Sequence, residues 1–144
     1  MSSTRHKIMD SVIRTLDGVP HLRYVSEKFQ TYDEVPAKHL PCAFPIDTNE
    51  ELEPYTIGDA ALIHGKLTIL ITCYVFSETG DVRQQRTELI QEITRYLLTD
   101  TLLGSLILDI EPRSIQTDQG MIENYSLFNM EFEIDYVYTR TDGG

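Results

Sequence analysis

The sequence has little cysteine, few basic residues and no long apolar run, and each shortage excludes a class of protein. Two cysteines, Cys42 and Cys73, are too few for a disulfide-stapled fold, and no segment has the order of a signal peptide, so we expect a reducing cytosol at synthesis. Twelve Lys and Arg against 23 Asp and Glu give a net charge of −11, which argues against a protein that grips nucleic acid. The apolar stretch 67–76 is about half the ~20 residues that a membrane-spanning helix requires, so we expect no membrane span.

Catalytic and cofactor-binding motifs are also missing. The sequence contains no GxGxxG, GxxxxGK[ST] or GxSxG, so dinucleotide, phosphate-loop and nucleophile-elbow chemistry have no support. The four histidines form no i, i+3 or i, i+4 ligand pair, which argues against a tetrahedral metal site. Packing is the favoured role of both cysteines, and a nucleophilic cysteine with a distant histidine stays open. The expectation is therefore no metal, no cofactor and no assigned catalytic residue.

The chain is long enough and apolar enough for one folded domain. It has 144 residues, of which 41% are hydrophobic, and this predicts a single domain over 1–144. Within it, 136–144 hold the end of the last strand and a polar tail. Apolar residues at helical spacing predict amphipathic helices over 5–16 and 82–98.

Local signals predict where these helices begin and end. Ser2 or Ser3 is expected to cap the first helix, and Gly18 is expected to stop it in a left-handed conformation. Asp81 followed by Gln84 resembles a capping box at the start of the second helix.

Two segments carry strong strand signals. The segment 66–76 (KLTILITCYVF) has two fairly apolar faces, which predicts a central strand. The segment 124–139 alternates strictly, with aromatic and aliphatic side chains on one face and polar side chains on the other. Such alternation predicts a strand with one buried and one wet face.

The remaining segments are less regular. Residues 42–46 are predicted to form a short edge strand, and the acidic segment 47–53 (DTNEELE) is predicted to be an exposed loop. A turn is expected near 99–104, followed by extended segments over 105–111 and 114–117 that are broken at Pro112. Residues 118–120 indicate a further turn. The whole pattern predicts an α+β domain, a mostly antiparallel sheet with two main helices packed on it.

Three carboxylates on the last strand form the most conspicuous candidate site. Glu131, Glu133 and Asp135 share one face at spacings of about 7 Å. A solvated outer face is the favoured interpretation. Acid/base catalysis or Mg²⁺ or Ca²⁺ binding, and an acidic strip facing a channel or a partner, are the alternatives.

The order of these segments resembles the tail terminator proteins of long-tailed bacteriophages. The resemblance lies in an N-terminal amphipathic helix (RHKIMDSVIRTL), a proline-broken region (VPAKHLPCAFPI), the strand KLTILITCYVF, the segment ELIQEITRYLLTDTLLGSLILDIEP, and a final strand ending in Tyr136-Val137-Tyr138. It covers most of the chain.

The resemblance implies a structural virion protein and not an enzyme. Members of that family have an α/β fold, form a hexameric ring on the last ring of the tail tube, stop its polymerisation and provide the head-joining surface. The implied partners are further copies of the chain, the tail tube protein and neck proteins, with DNA passing through the lumen without specific binding. The implied location is the virion, after assembly in the host cytoplasm.

Closing such a ring head-to-tail requires two different patches on each subunit. Leu102 and Leu103 are predicted to contribute subunit or tube contacts, and Glu131, Glu133 and Asp135 to face the lumen or a partner. Another neck protein, a head–tail connector or a tail completion protein, is the first alternative. The second is a small carboxylate- or metal-dependent hydrolase that uses the three carboxylates and His64.

Overall fold

The computed structural model describes residues 3–31, 33–54, 62–77, 81–118 and 124–139. In chain order the elements are α1 (Thr4–Asp17), β1 (Tyr24–Val25), a 3-10 turn (Ala37–His39), β2 (Cys42–Pro54), β3 (Leu62–Phe76), α2 (Val82–Thr99), α3 (Thr101–Leu106), β4 (Asp109–Thr117) and β5 (Tyr125–Thr139). The five strands form one sheet in the order β1-β2-β3-β5-β4. The β1–β2 pair is parallel and the other pairs are antiparallel. The predicted α+β class is confirmed.

The helices cover one face of the sheet. The apolar stripes of α1 and α2 pack on the inward side chains of β3 and β5, and together these residues form the main core. Its fully buried members include Ile8, Val12, Leu16, Ile93, Ile69, Ile71, Phe128, Phe132 and Ile134. None of the described helices is long and apolar enough to cross a membrane.

The helix ends differ in part from the sequence prediction. Ser3 caps α1, since its hydroxyl accepts a hydrogen bond from the His6 backbone N–H at 3.1 Å. Gly18 follows the helix with φ −83°, a right-handed conformation, so the predicted left-handed cap is wrong. Asp81 precedes α2 without a side-chain cap bond, so the predicted capping box is also wrong. Asp100 caps α3 through the Leu103 N–H and accepts a second hydrogen bond from Thr15 on α1.

The central pair, β3 and β5, fulfils the alternation seen in the sequence. The two strands pair over fifteen residues each, from Leu62 opposite Thr139 to Phe76 opposite Tyr125. On β5 every second side chain from Ser126 to Tyr138 is buried, and those between are partly exposed. One face of this strand is therefore core and the other faces water, as predicted.

The acidic segment 47–53 is a strand, so the predicted loop is wrong. β2 continues to Pro54 along β3, with one irregularity between Asp47 and Asn49. Glu50, which lies on the helix side of β2, is neutralised by Arg5, which binds it through both Nε and Nη2. Glu51 and Glu53 lie on the other face, where they stay in water. Asp47, opposite Ile69, shares the helix side but is exposed, so Glu50 is the carboxylate of this segment that needs a partner within the fold.

The Arg5–Glu50 pair ties α1 to β2. Burial alone would raise the pKa of Glu50, but the hydrogen bonds from Arg5 lower it overall. The same hydrogen bonds raise the pKa of Arg5. Both groups therefore stay charged at neutral pH.

The region after α2 also departs from the prediction. Residues 101–106 form α3, which contains Gly104, where a turn and then an extended segment were expected. β4 runs through Pro112 without ending there, since it is an edge strand and an irregularity between Pro112 and Ser114 accommodates the ring. The predicted turn at 118–120 and the predicted polar tail fall largely outside the described residues.

A second, smaller cluster covers one end of the opposite sheet face. It contains the buried residues Val35, Leu40, Cys42, Phe44 and Tyr74, and the Tyr74 hydroxyl donates to the Gln30 carbonyl at 2.6 Å. Cys73 lies in the main core. Both cysteines are buried and unbridged, in agreement with the predicted packing role.

Candidate functional site: an acidic open sheet face

Glu131, Glu133 and Asp135 project from β5 on the side away from the helices. Their partners across β3 are Leu70, Thr68 and Lys66. Those across β4 are Ser114, Glu111 and Asp109. Beyond the small cluster around Phe44 and Tyr74, no described helix covers this side of the sheet. The three carboxylates therefore lie in the middle of an open face.

Further carboxylates come from both neighbouring strands. Glu51 and Glu53 lie opposite Lys66 and His64, so they share this side of the sheet. We define the acidic face as the seven carboxylates that the register places here: Glu51, Glu53, Asp109, Glu111, Glu131, Glu133 and Asp135. Two cations, Lys66 and Arg113, lie among them. The face is therefore strongly negative.

Arg113 joins two of the strands. It occupies the irregularity in β4, where its Nη2 lies 2.9 Å from Glu133 Oε1 and 3.1 Å from Glu111 Oε2. The hydrogen bond to Glu133 is the main cause of a raised pKa at Arg113. Because Arg113 and Glu111 are exposed to water, these ion pairs contribute little to the stability of the fold. Their main effect is to offset part of the repulsion between adjacent carboxylates.

His64 links three strands at the opposite end of the acidic face. Its Nδ1 lies 3.0 Å from Glu53 Oε1, and its Nε2 lies 3.6 Å from Asp135 Oδ1. The imidazole is mostly covered, with 13% of the side chain exposed. The structure thus brings His64 beside Asp135, as the hydrolase alternative requires, but both ring nitrogens face carboxylates. Glu131 lies four residues further along β5, roughly 13 Å away.

The acidic face also bears on the predicted alternative of a Mg²⁺ or Ca²⁺ site. Within the described ranges, no group of three or more His, Cys, Asp or Glu side chains is placed to hold a metal ion. The carboxylates of the acidic face follow strand spacing and do not converge on one point.

The two leucines predicted as contact residues lie in α3. Leu103 is fully buried in the main core, because the first turn of this short helix directs it inward. It therefore offers no exposed surface for a subunit or tube contact. The side chain of Leu102 lies outside what the structure describes.

Four members of the acidic face were missed at the sequence level. Glu51-x-Glu53 and Asp109-x-Glu111 have the same two-residue spacing as Glu131-x-Glu133-x-Asp135. Since residues two apart on a strand share a face, this repeated spacing was the available signal. It was obscured by the assignment of 47–53 to a loop.

Comparison with known proteins does not assign the chain to a family. The sequence matches no protein-family model, and no curated protein matches it. The residues, their geometry and the resemblance in element order are therefore the guides to the function of this chain.

Proposed function

We propose that this chain is a tail terminator of a long-tailed bacteriophage, a structural virion protein that acts by assembly. Copies of the chain form a ring, of six subunits by the resemblance, on the end of the tail tube. The ring stops polymerisation of the tube protein and presents a surface to which the head or its neck proteins join. The observation that carries this proposal is the acidic face, which an assembled ring can turn toward its lumen.

An acidic lumen suits the passage of DNA. Carboxylates repel phosphate over roughly 8 Å at physiological salt, the Debye length. Seven carboxylates from β2, β4 and β5 are spread over this face, whereas its two cations are surrounded by them. A duplex moving along such a wall meets few groups that displace its counterions, so it slides without being held.

This function requires partners and no cofactor. The proposed partners are other copies of the chain, the tail tube protein and a neck protein or connector, and DNA is a passing cargo. The proposed location is the neck of the virion, after assembly in the host cytoplasm.

Growth of the tail tube provides the test. Purified chain is added to polymerising tail tube protein, and tube lengths and tube ends are examined by electron microscopy. We expect ring-capped tubes that stop growing, with a shorter mean length as more chain is added. A chain that stays monomeric and leaves tube growth unchanged contradicts the proposal.

The same experiment separates the nearest alternative. A head–tail connector or tail completion protein binds the portal complex of the head and leaves the tube end free. The hydrolase alternative draws on the contact between His64 and Asp135, and it is tested by the carboxylate variants described in the Discussion.

A further inference from the structure

The two ends of β2 differ sharply in charge. At its N-terminal end, Pro41 accepts a hydrogen bond from the Arg23 backbone N–H at 2.8 Å. At its C-terminal end, Glu51, Leu52 and Glu53 are exposed. Eleven residue steps separate Cys42 from Glu53, which corresponds to roughly 36 Å of strand. Features at these two ends therefore lie on opposite sides of the molecule.

The N-terminal end adjoins a groove. Two neighbouring cavities of about 390 and 510 Å³ share Arg23, Pro41 and Gln85 as lining residues. Apolar lining comes from Leu89 on one side and Phe76 on the other, and Lys38 lines the larger cavity. We call this feature the Arg23 groove.

The cations of the groove are free to bind a partner. Within the described part of the chain, the side chains of Arg23 and Lys38 form no ion pair, and both residues are exposed. Glu88 is the one carboxylate that lines either cavity, and it accepts a hydrogen bond from Gln84 at 3.2 Å. The groove therefore combines an apolar lining with two cations and one carboxylate, in a chain whose net charge is −11.

The C-terminal end of β2 presents the complementary features. β1 pairs only with Cys42 and Ala43, so no described strand pairs with the outer edge of β2 over residues 49–53, which we call the β2 edge. Leu52 is 52% exposed there. Glu51 forms no ion pair among the described residues, and the Glu53 side chain is 68% exposed.

We propose that the Arg23 groove of one copy receives the β2 edge of a second copy of this chain. Arg23 and Lys38 then meet the Glu51 and Glu53 carboxylates on one face of the strand, and the wall of the groove covers Leu52 on the other face. Such a contact also hides an unpaired strand edge, which is otherwise a site of unspecific association.

The contact is head-to-tail, because the two surfaces are different and lie at opposite ends of β2. Repeating a head-to-tail contact produces either a closed ring or an open filament. This proposal rests on the proposed function in one respect: it names the surfaces by which neighbours in the ring meet. Glu51 and Glu53 then lie at the border between subunits, and the five carboxylates on β4 and β5 remain on the lumen wall.

Charge exchange between the two surfaces tests the proposal. In R23E/K38E the groove becomes acidic and the edge stays acidic, whereas in E51K/E53K the edge becomes basic and the groove stays basic. Each variant alone is expected to self-associate at least roughly tenfold more weakly than the wild type, because like charges oppose each other. An equimolar mixture is expected to recover assembly, since every groove then meets an edge of opposite charge.

The mixed assembly has a distinctive composition. Native mass spectrometry is expected to show rings in which the two variants alternate, and therefore equal numbers of each. K7E/R95E, which changes the net charge of the chain as much as R23E/K38E at exposed positions on α1 and α2, should assemble as the wild type does. Circular dichroism verifies that each variant is folded.

The outcomes separate this proposal from the proposed function. Wild-type rings that cap tubes, together with variants that assemble alone as well as the wild type does, overturn the docking surfaces and leave the terminator function standing. Alternating rings that never cap tubes support the docking surfaces and overturn the function. A wild-type chain that stays monomeric at every concentration, with and without tubes, overturns the docking proposal.

Discussion

The ring of Tyr136 on β5 occupies the space next to the α-carbon of Gly65, its partner on β3. A Cβ atom at position 65 would lie 2.7 Å from both Cε1 and Cζ of that ring. The tyrosine is fully buried, so the ring has no free space into which to turn. The central strand therefore contains a glycine where most strands would carry a side chain.

Gly65→Ala should destabilise the fold through this clash. We expect the free energy of unfolding to fall by about 1–3 kcal/mol, as in other overpacked cores. Urea denaturation followed by circular dichroism measures the change. Gly104→Ala is the matched control, because nothing lies within 4 Å of a Cβ there and the residue is exposed in α3. It should stabilise by up to about 1 kcal/mol, and equal losses in both variants would argue against the clash.

Loss of the Arg5 side chain should change how stability depends on pH. Because the pKa of Glu50 lies below its ordinary value of 4.5 in the folded chain, the unfolded chain binds a proton more readily. This contribution to stability is fully present above the unfolded pKa and is lost as the pH falls through the lower folded pKa.

For Arg5→Met we expect a loss of about 1–2 kcal/mol at neutral pH, since Glu50 is left half-buried without its partner. We also expect a smaller further loss than in the wild type between about pH 5 and pH 3. Urea midpoints at several pH values measure both effects. Arg14→Met removes the exposed pair with Asp10 and should change little. Parallel pH curves for Arg5→Met and the wild type would refute this account of Glu50.

Both thiols should be unreactive in the native protein. Burial raises the pKa of Cys42 to about 12, and burial likewise raises the pKa of the fully buried Cys73. Since the thiolate is the reactive form, a disulfide reagent near pH 8 should modify neither residue within minutes and both in denaturant. Rapid modification of either cysteine in the folded chain would show that its strand opens easily.

The acidic face can be probed by two sets of variants at Glu131, Glu133 and Asp135. Conversion of all three to Lys should create salt-sensitive affinity for duplex DNA, because cations then replace the repelling carboxylates. Fluorescence anisotropy at two salt concentrations measures this gain. Unchanged DNA binding and unchanged DNA ejection would contradict a role for this face in the lumen.

The neutral variant E131Q/E133Q/D135N separates the structural function from the hydrolase alternative. It should fold and cap tubes, because no step of assembly is assigned to these charges. Under the hydrolase alternative it loses activity while its fold stays intact. Glu27→Gln, at an exposed carboxylate outside the acidic face, serves as the control.

Periodicity was sufficient for the elements whose burial is one-sided. The alternation at Phe128, Met130 and Phe132 predicted β5 because one face packs on helices and the other meets water. The strand predicted over 42–46 is the start of β2, but its continuation over 47–53 was not predicted, because that half is an edge strand, where polar side chains are tolerated on both faces. α3 was not predicted, because a helix of six residues is too short to show a helical period of apolar residues.

The site was less predictable than the fold, for a topological reason. Three of its carboxylates were visible on one strand, but the others come from β2 and β4, which meet this face only after the sheet has formed. The contacts of His64 with Glu53 and Asp135 likewise join three strands. A single sequence gives the face on which each residue lies, but it does not give strand order.

The long pairing of β3 with β5 has a consequence for biosynthesis. The partner of Leu62 is Thr139, so α2, α3 and β4 are all made before the sheet can close. A nascent chain synthesised only as far as β4 has β3 unpaired on one side, and the apolar side chains of that strand are exposed. β4 also pairs only with β5, so it stays detached until then. Folding of this sheet on the ribosome is thus held back until β5 emerges, and shielding by a chaperone is most valuable before that moment.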